Sequence, residues 1–437
     1  MKTYERPTLP PLWMMIVLGL LAIVGGYGIW LRVLGGLGTT NMTGKVLWGL
    51  WVAFYIYFIG LSAGSFLLST LIYVFGVHSF EKVVRLAIYS ALILLFTGLS
   101  FILLDLGHME RFITVYTHRN PTSVLTWEIH FYAVYIFILI LEMYFLMRRD
   151  LILLRDDPHT RLRWLYRLLA LGSTDLSEES AHRDHKIIVA LGICGLPVAI
   201  GVHGGTGAIF AVAKARPYWF TGLFPIVFIV SALASGAGLL AVSYIMTGDK
   251  HDAEYQPLAR SIGKMAAGVL SFDLLLLVSE LLVGLYSGIP EHLEVYRAIL
   301  SGPYRWVFWF GQVGFGAIVP IILILAPTGK RIWVVAVACT MIFVGIIGVR
   351  LNIVIPSLTV EMLPGLHASF VDTRASSFYF PSWIEFLSSF GVIALNGLLF
   401  WVGFSLLPIY DRRLAVRPAD DASVVTVDEE PTANPAK

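Results

Sequence analysis

The sequence predicts an all-α, polytopic integral membrane protein with about ten transmembrane helices. Its 437 residues are 57% hydrophobic and 14% charged, and the mean hydropathy is +0.78. Soluble domains carry about 25% charged residues, so the composition indicates a protein that lies mostly in lipid. A spanning helix needs about 20 predominantly apolar residues, and ten segments of this sequence meet that requirement.

The ten predicted spans form one transmembrane domain between two polar tails. We expect the domain over residues 12–408, an N-terminal tail at 1–11 and a disordered C-terminal tail at 409–437. The N-terminal tail leads into an apolar run without an A-x-A cleavage site, which predicts an uncleaved first span. The spans are expected at roughly 12–34, 47–75, 84–106, 124–147, 187–213, 219–246, 265–287, 305–326, 332–349 and 382–408.

The distribution of positive charge predicts the orientation of these spans. One long soluble loop, 148–186, is expected between the fourth and fifth spans. Of the 31 Lys and Arg residues, 21 fall on the side of the two tails and this loop, and 10 fall on the other side. The positive-inside rule then places both termini and the loop in the cytoplasm. We call the opposite side the outer end.

Several function classes are excluded by what the sequence lacks. Its two cysteines, Cys194 and Cys339, lie inside apolar runs, so there is no CxxC site, iron–sulfur cluster motif or CxxCH haem attachment motif. It has no H-E-x-x-H metal motif, and we expect no metal site. The net charge of +2, without a basic cluster interleaved with aromatic residues, argues against nucleic-acid binding.

Ionisable side chains inside a bilayer are costly, so each is a candidate functional residue. Five of them lie at one depth, in the outer half of the third, fourth and fifth spans, and three aromatic residues of the second span lie at the same level. Such a gathering favours a functional site over isolated structural roles. The ionisable residues are Asp105, His108, Glu128, His130 and His203, and the aromatic residues are Trp48, Trp51 and Tyr55.

Three further carboxylates suggest a path for protons across the membrane. Glu142 closes the fourth span, and Asp273 and Glu280 lie seven residues apart on one face of the seventh. Proton relays are built from such groups, and these three are expected to bridge the cytoplasmic half of the bilayer. Hydrogen bonding between helices, or pairing with a basic residue, is the structural alternative.

The histidines limit a cytochrome interpretation. A two-haem membrane cytochrome b needs histidine pairs at two depths, and the cytoplasmic half of the bilayer has no candidate histidine in this sequence. A single haem between His130 and His203 is the alternative left open.

Five motifs, in this order, resemble the NrfD / polysulfide-reductase membrane-subunit family, in the ten-span form similar to hydrogenase-2-type and Dsr-type membrane subunits. The resemblance covers residues from about 47 to 408. The motifs are "WGLWVAFYIYFIGLSAGSFLLS" (48–69), "GLSFILLDLGHMERF" (98–112), "NPTSVLTWE" (120–128), "HGGTGAIFAVAKARPYW" (203–219) and "YFPSWIEFLSSFG" (379–391).

This resemblance implies a haem-free subunit of a respiratory complex in a bacterial or archaeal cytoplasmic membrane. Its fold would place helices two to five and six to nine in two four-helix bundles, with flanking helices. A quinol or quinone, menaquinone or ubiquinone, would bind at the outer end of the first bundle. Electrons would pass between it and a ferredoxin-like iron–sulfur subunit on the periplasmic side, and a molybdopterin enzyme or hydrogenase would complete the complex.

A mechanism follows as a hypothesis. Tyr55 stands where some members of the family have a histidine, and a tyrosine, with an unperturbed pKa of about 10, is a poor proton acceptor. We therefore expect Glu128 and His203 nearest the quinone ring, and Asp105 orienting His108 as a proton relay. Trp51, His130 and Trp219 complete the expected binding residues.

The segment after the fifth span carries the remaining expectations. Glycines at 201, 204, 205 and 207 would leave room for the ring. Trp219 and Tyr218 would anchor the outer membrane interface, while Lys214 and Arg216 would be docking or interface charges.

Two other functions are open to a protein of this kind. A secondary transporter also has intramembrane charges and glycine-interrupted helices, but the polar groups here gather at the outer end and no inverted repeat is visible. A purely structural membrane anchor for a redox partner would use the buried charges for packing alone.

Overall fold

Ten spanning helices form the protein, as the sequence predicts. The computed structural model describes residues 10–75, 78–158, 160, 162–362, 365 and 375–410, and within these residues ten helices are long and apolar enough to cross a membrane. They are α1 (Leu12–Gly35), α2 (Leu50–Phe75), α3 (Val84–Asp105), α4 (Val124–Asp156), α5 (Glu178–Ala211), α6 (Phe224–Thr247), α7 (Tyr255–Tyr286), α8 (Val307–Leu325), α9 (Ile332–Thr359) and α10 (Trp383–Leu406).

The helices pack as two bundles of four with a flanking pair. In the first bundle α2 packs on α3 and α5, and α4 packs on α3 and α5. In the second, α6 packs on α7 and α9, and α8 packs on α7 and α9. The bundles join where α2 and α5 meet α6, and where α2 meets α9, while α1 and α10 pack on each other and α10 lies against α3. The expected bundles and flanking helices are therefore present.

Small residues permit the closest helix crossings. A Cβ atom on Gly64 of α2 would lie 1.9 Å from the carbonyl oxygen of Ala232 on α6. One on Gly25 of α1 would lie 2.1 Å from Cα of Gly391 on α10. Because real Cβ atoms do not approach backbone this closely, any larger residue would separate the two bundles or the flanking pair.

The segment 148–186, expected as a soluble loop, is largely helical in the structure. α4 continues to Asp156, a short helix follows at Arg163–Leu169, and α5 begins at Glu178. The side chain of Ser177 caps α5 by accepting a hydrogen bond from the backbone N–H of Ser180, and two glutamates follow in the first turn. The charged residues lower the hydropathy there without ending the helices, because a helix can continue beyond the membrane.

Two other spans are longer than predicted for the same reason. α7 begins at Tyr255 rather than near 265, and α9 continues to Thr359 rather than ending near 349. Residues 1–9 of the predicted N-terminal tail and 411–437 of the C-terminal tail lie outside the described residues.

Candidate functional site

Four side chains from three helices of the first bundle meet at Glu128. Tyr55 on α2 donates a hydrogen bond to Glu128 Oε1 at 2.7 Å, and Tyr132 on α4 donates to the same oxygen at 2.6 Å. Thr206 on α5 donates to it as well. The two tyrosine hydroxyls lie 2.8 Å apart. We call these four residues the Glu128 cluster; it lies near the outer end, and the relative exposure of Glu128 is 1%.

The local structure explains why these groups converge. Tyr132 follows Glu128 by four residues on α4, so the two lie on one face. Thr206 also donates to the carbonyl of Val202 in the preceding turn, which fixes its hydroxyl against α5. A Cβ on Gly205 would lie 3.8 Å from Cγ of Glu128, so α5 passes close to the carboxylate.

The second oxygen of Glu128 is the distinctive feature of the cluster. Oε1 accepts three hydroxyl groups, whereas Oε2 is buried and has no hydrogen-bond partner in the described part of the protein. Buried polar atoms are nearly always hydrogen-bonded, so an exception requires an explanation. The arrangement holds one oxygen rigidly and leaves the other to exchange a proton or to bond a ligand hydroxyl or carbonyl.

The structure does not bring His203 into this cluster. His203 lies one turn before Thr206 on α5, but its Nε2 lies 3.3 Å from Nη2 of Arg350 on α9, which also donates to Ser231 on α6 at 2.7 Å. The Arg350 guanidinium lies 4.5 Å from the centre of the Phe228 ring. Glu128 and His203 thus belong to two neighbouring centres, and their contact with one quinone ring stays a prediction.

The second centre is a buried cation with unsatisfied groups around it. Arg350 and His203 are both 0% exposed. Asp273 on α7 is the carboxylate whose charge acts on Arg350. Among the described residues, Arg350 Nε and Nη1 and Asp273 Oδ1 have no hydrogen-bond partner. We call Arg350, His203, Ser231 and Asp273 the Arg350 centre.

The expected relay from Asp105 to His108 is wrong. α3 ends at Asp105, so the backbone turns before His108 and the i, i+3 face does not exist. His108 is exposed, and its Nδ1 lies 3.0 Å from Glu110 Oε1. Hydrogen bonds from its own backbone N–H and from His108 hold the pKa of Glu110 below its usual range.

Asp105 belongs instead to the packing of the flanking helices. Arg32 of α1 donates to the carbonyls of Leu104 at 2.9 Å and Leu106 at 2.7 Å, which caps α3. The charges of Arg32 and of Glu385 on α10 both act on Asp105. Hydropathy and spacing carry no signal for this group, because its members come from opposite ends of the sequence.

Trp51 and His130 also point away from the Glu128 cluster. The indole N–H of Trp51 donates to Ser388 on α10 at 3.1 Å, on the side of α2 that faces the flanking helices. His130 Nδ1 lies 2.7 Å from the carbonyl of Thr126, and its ring packs edge-on against Tyr116 at 5.2 Å. His130 and His203 thus have different neighbours, and a single haem between them stays an alternative.

The predicted interfacial anchors, Trp219 and Tyr218, are buried. Trp219 is 3% exposed, stacks on Trp48 at 5.6 Å and donates to the carbonyl of Ile353 at 2.7 Å. Burial raises the pKa of Tyr218 well above its usual value. Both rings therefore serve the packing of the outer end rather than contact with the lipid interface.

The two predicted docking charges differ in their surroundings. Arg216 donates to the carbonyls of Ser357 and Val360, so it caps α9 rather than serving as a free docking charge. Lys214 is exposed, and its assignment as a docking or interface charge stays a prediction.

The glycines of α5 mostly serve packing rather than making space for a ligand. A Cβ at Gly207 would lie 2.8 Å from Cα of Pro225, one at Gly204 would lie 3.2 Å from Ile229, and one at Gly201 would lie 3.1 Å from Phe131. Only Gly205 of the four faces Glu128. The crossing of α5 with α6 and α4 thus explains three of these four glycines.

The three carboxylates of the predicted proton path lie in two different bundles. Glu142 on α4 is fully buried in the first bundle, and neither of its oxygens has a hydrogen-bond partner among the residues that the structure describes. Asp273 and Glu280 lie on α7 in the second bundle, and the charge of Glu280 acts on Tyr218 and Tyr296. Whether the three carboxylates share one proton path stays a prediction.

Two residues of the Glu128 cluster were missed as site residues by sequence reasoning. The sequence gives only a weak indication of either residue as part of a site. Thr206 is a hydroxyl residue one turn from His203, and Tyr132 is a tyrosine one turn from Glu128. Arg350 of the second centre was also missed, because it lies just beyond the predicted end of the ninth span at 349. Within the described ranges, no group of three or more His, Cys, Asp or Glu residues could hold a metal ion.

Comparison with known proteins relates this protein to membrane subunits of redox complexes. Residues 38–361 match the family described as polysulphide reductase, NrfD. The sequence is 39% identical to a subunit of the selenate reductase of Mesobacillus selenatarsenatis, over 92% of this protein and 95% of that subunit. It is 29% identical to the Hdr-like menaquinol oxidoreductase integral membrane subunit of Archaeoglobus fulgidus, over 90% and 93% of the two proteins. It is 23% identical to a subunit of the polysulfide reductase of Wolinella succinogenes, over 67% and 88%.

Proposed function

Because this protein belongs to the polysulphide reductase, NrfD family, we propose that it is the quinone-binding subunit of a multi-subunit membrane redox complex. The names of two relatives support the substrate class, since one is a menaquinol oxidoreductase membrane subunit and another a menaquinone reductase membrane subunit. The relatives from selenate reductase and polysulfide reductase support a role beside a catalytic subunit.

The observation that carries this proposal is the Glu128 cluster. A quinone site needs hydrogen-bond partners for its ring oxygens and a group that exchanges a proton with one of them. Glu128 Oε2 is a buried carboxyl oxygen with no partner among the described residues, so it fits that requirement. Tyr55 and Tyr132, whose hydroxyls lie 2.8 Å apart, are the nearest further groups that could bond a ring oxygen.

In the proposed mechanism each residue of the cluster has one task. A bound quinol supplies two electrons and two protons, and a bound quinone takes them up. Glu128 holds or releases one of those protons at Oε2. Thr206, Tyr55 and Tyr132 donate to Oε1, which keeps the carboxyl group in one orientation and stabilises its ionised form. The surrounding helices exclude water from the site.

We further propose that the iron–sulfur partner binds at the outer end. The segment after α3 exposes apolar side chains there, and its charged side chains are exposed as well. Phe112 and Ile113 are each 54% exposed, and Tyr116 is 41% exposed. Tyr116 donates to the carbonyl of Ile129, beside Glu128 on α4. A partner seated on this segment would lie close to the cluster, as electron transfer requires.

Binding of a fluorescent quinol-site inhibitor tests the proposal. We expect saturable binding to the purified complex, weakened about tenfold by Tyr132→Phe, since a lost hydrogen bond costs about 1 kcal/mol or slightly more. Tyr27→Phe is the matched control, because Tyr27 lies on the exposed side of α1. Absence of specific binding by the folded wild-type complex would favour the purely structural anchor.

We also propose that protons exchanged at Glu128 travel through Glu142. Between them on the same face of α4 lies Tyr135, which donates to the carbonyl of Ser62 at 3.2 Å and lies 3.4 Å from the Ser62 hydroxyl. In this proposed path, Tyr132 and Tyr135 of α4 and the Ser62 hydroxyl of α2 pass the proton between the two carboxyl groups. Asp273 and Glu280 stay a prediction as further members of the proton path.

Proton counting in proteoliposomes tests the path through Glu142. We expect Glu142→Gln to lower the number of protons moved per electron pair while electron transfer continues, because an amide cannot ionise. Glu178→Gln, at the exposed start of α5, is the control. An unchanged proton count in Glu142→Gln would remove this residue from the path.

A further inference from the structure

A short segment at the inner end of the protein, which is the end opposite the outer end, presents two apolar faces. Only one of these faces is covered by the rest of the protein. We call residues 162–172 the strap. Tyr166 and Ala170 are buried against the bundle at 6% and 0% exposure. On the other face Trp164, Leu168 and Leu171 are 66%, 64% and 73% exposed. Trp164 and Leu168 are spaced at i and i+4, which places them on one face of the helix Arg163–Leu169, and Leu171 follows the end of that helix.

Hydrogen bonds fix the depth of the strap relative to the membrane. The strap starts beside the end of α4, where Arg163 donates to the carbonyl of Arg155 at 3.1 Å. It then runs back along α4, until Tyr144 donates to the carbonyl of Ala170 at 3.3 Å. Tyr144 lies about 20 residues into α4, which is about 30 Å along a helix and matches the thickness of the hydrocarbon core.

A second contact supports the same depth. Tyr166 donates at 2.8 Å to the carbonyl of Leu406, which is the last residue of α10. This contact places the middle of the strap level with the end of α10. The tip of the strap is level with the point at which α4 changes from apolar residues to Arg148 and Arg149.

The backbone at the tip holds the exposed leucine outward. Leu171 has a φ of 49°, the one positive φ of a non-glycine residue in the described part of the protein, and Gly172 follows with 75°. A side chain in this left-handed region is strained. The turn is fixed by Ser173, whose hydroxyl accepts from Arg148 at 2.6 Å and whose carbonyl accepts from Arg155 at 2.7 Å. Such strain often marks a functional position.

The charges beside the exposed face are mainly positive. Arg163 and Arg167 are exposed on the strap. Arg155 pairs with Asp156 at 2.7 Å, and the charges of Arg163 and Arg167 also act on Asp156. The side chains beside the exposed face are therefore Arg155, Arg163 and Arg167 together with Asp156 and the neighbouring Asp157. Three positive and two negative charges give this surface a net positive charge.

We propose that the strap is a lipid-binding wedge. Trp164, Leu168 and Leu171 insert into the boundary between headgroups and acyl chains, and Arg163 and Arg167 bind the phosphates of anionic phospholipids. Helical segments with a tryptophan and leucines on one face and arginines beside it bind membranes in this way. The depth of the tip makes lipid the occupant, because a water-soluble partner would have to enter the headgroup layer to reach Leu171.

Cysteine labelling of the full-length protein tests the insertion. In a Cys194→Ser background, where Cys339 is buried, Leu171→Cys is compared with Glu179→Cys at the exposed start of α5. Both are placed in phosphatidylglycerol–phosphatidylcholine vesicles opened by freeze–thaw and treated with a charged, membrane-impermeant maleimide. We expect Leu171→Cys to be protected and Glu179→Cys to react, with equal labelling after denaturation. Equal labelling of the two cysteines before denaturation would overturn the insertion.

Thermal unfolding in detergent tests the headgroup contact. We expect phosphatidylglycerol to raise the unfolding temperature of the wild type more than phosphatidylcholine does, and Arg163→Gln/Arg167→Gln to lose that difference. Arg183→Gln, which removes an exposed charge at the same end, should retain it. An equal rise with inorganic phosphate would assign the arginines to a free anion, and an unchanged difference in the double variant would exclude them; either result overturns the proposal.

Discussion

Replacing Glu128 by glutamine is expected to lower quinol oxidation and quinone reduction by the assembled complex at least 100-fold. A positioned group that accepts or donates a proton contributes about 10²–10⁴ to a rate, and an amide cannot perform this task. The amide can still accept the hydroxyl groups of Tyr55 and Thr206 through its oxygen, so the fold and the assembly should be preserved. Steady-state turnover with a soluble quinol analogue and an artificial acceptor measures the effect.

Two variants separate loss of the proton acceptor from loss of structure. Glu178→Gln makes the same chemical change at an exposed position and should leave turnover unchanged. Thr206→Val removes a hydroxyl that orients Glu128, and we expect it to shift the pH profile of turnover, with Thr206→Ser restoring the wild-type profile. Normal turnover of Glu128→Gln in an intact complex would contradict the central role of this carboxyl group.

Replacing Arg350 by methionine is expected to destabilise the protein by about 3–5 kcal/mol. Removing one member of a buried charge pair leaves the other charge without compensation, and that is the usual cost. Here Arg350 is 0% exposed, donates to Ser231 and acts on Asp273 across the second bundle. The unfolding temperature of the purified protein in detergent, followed by tryptophan fluorescence, measures the loss.

The double variant Arg350→Met/Asp273→Asn supplies the decisive comparison. It removes both charges, so we expect it to be more stable than Arg350→Met alone, as buried pairs replaced together often are. Arg305→Met, at an exposed position of the outer end, should change the unfolding temperature little. If the two substitutions in the Arg350 centre destabilise additively, then Asp273 is not the counter-charge of Arg350.

Composition and hydropathy were enough to establish the class of fold and to select candidate residues. Ten apolar runs of membrane length appear as ten helices, because the thickness of the bilayer sets a length that can be read directly from composition. Glu128 and Tyr55 were both identified as candidates, since a buried ionisable group is rare enough to stand out. Three of the five family motifs lie in the helices that form the Glu128 cluster, and the two-bundle arrangement that the resemblance implies is the one observed.

Which of these residues meet depends on how the helices pack. Glu128 bonds Thr206 rather than His203, His203 bonds Arg350, and Asp105 lies by Arg32 instead of acting on His108. A contact between helices depends on the rotation of each helix about its axis, and a polar face normally indicates that rotation. Helix α2 is buried over almost its whole described surface, so its sequence is apolar all round and carries no such face. The ends of α3 and α5 likewise depended on side-chain caps. Hydropathy does not register such contacts, because it averages over residues without knowing what each side chain will contact.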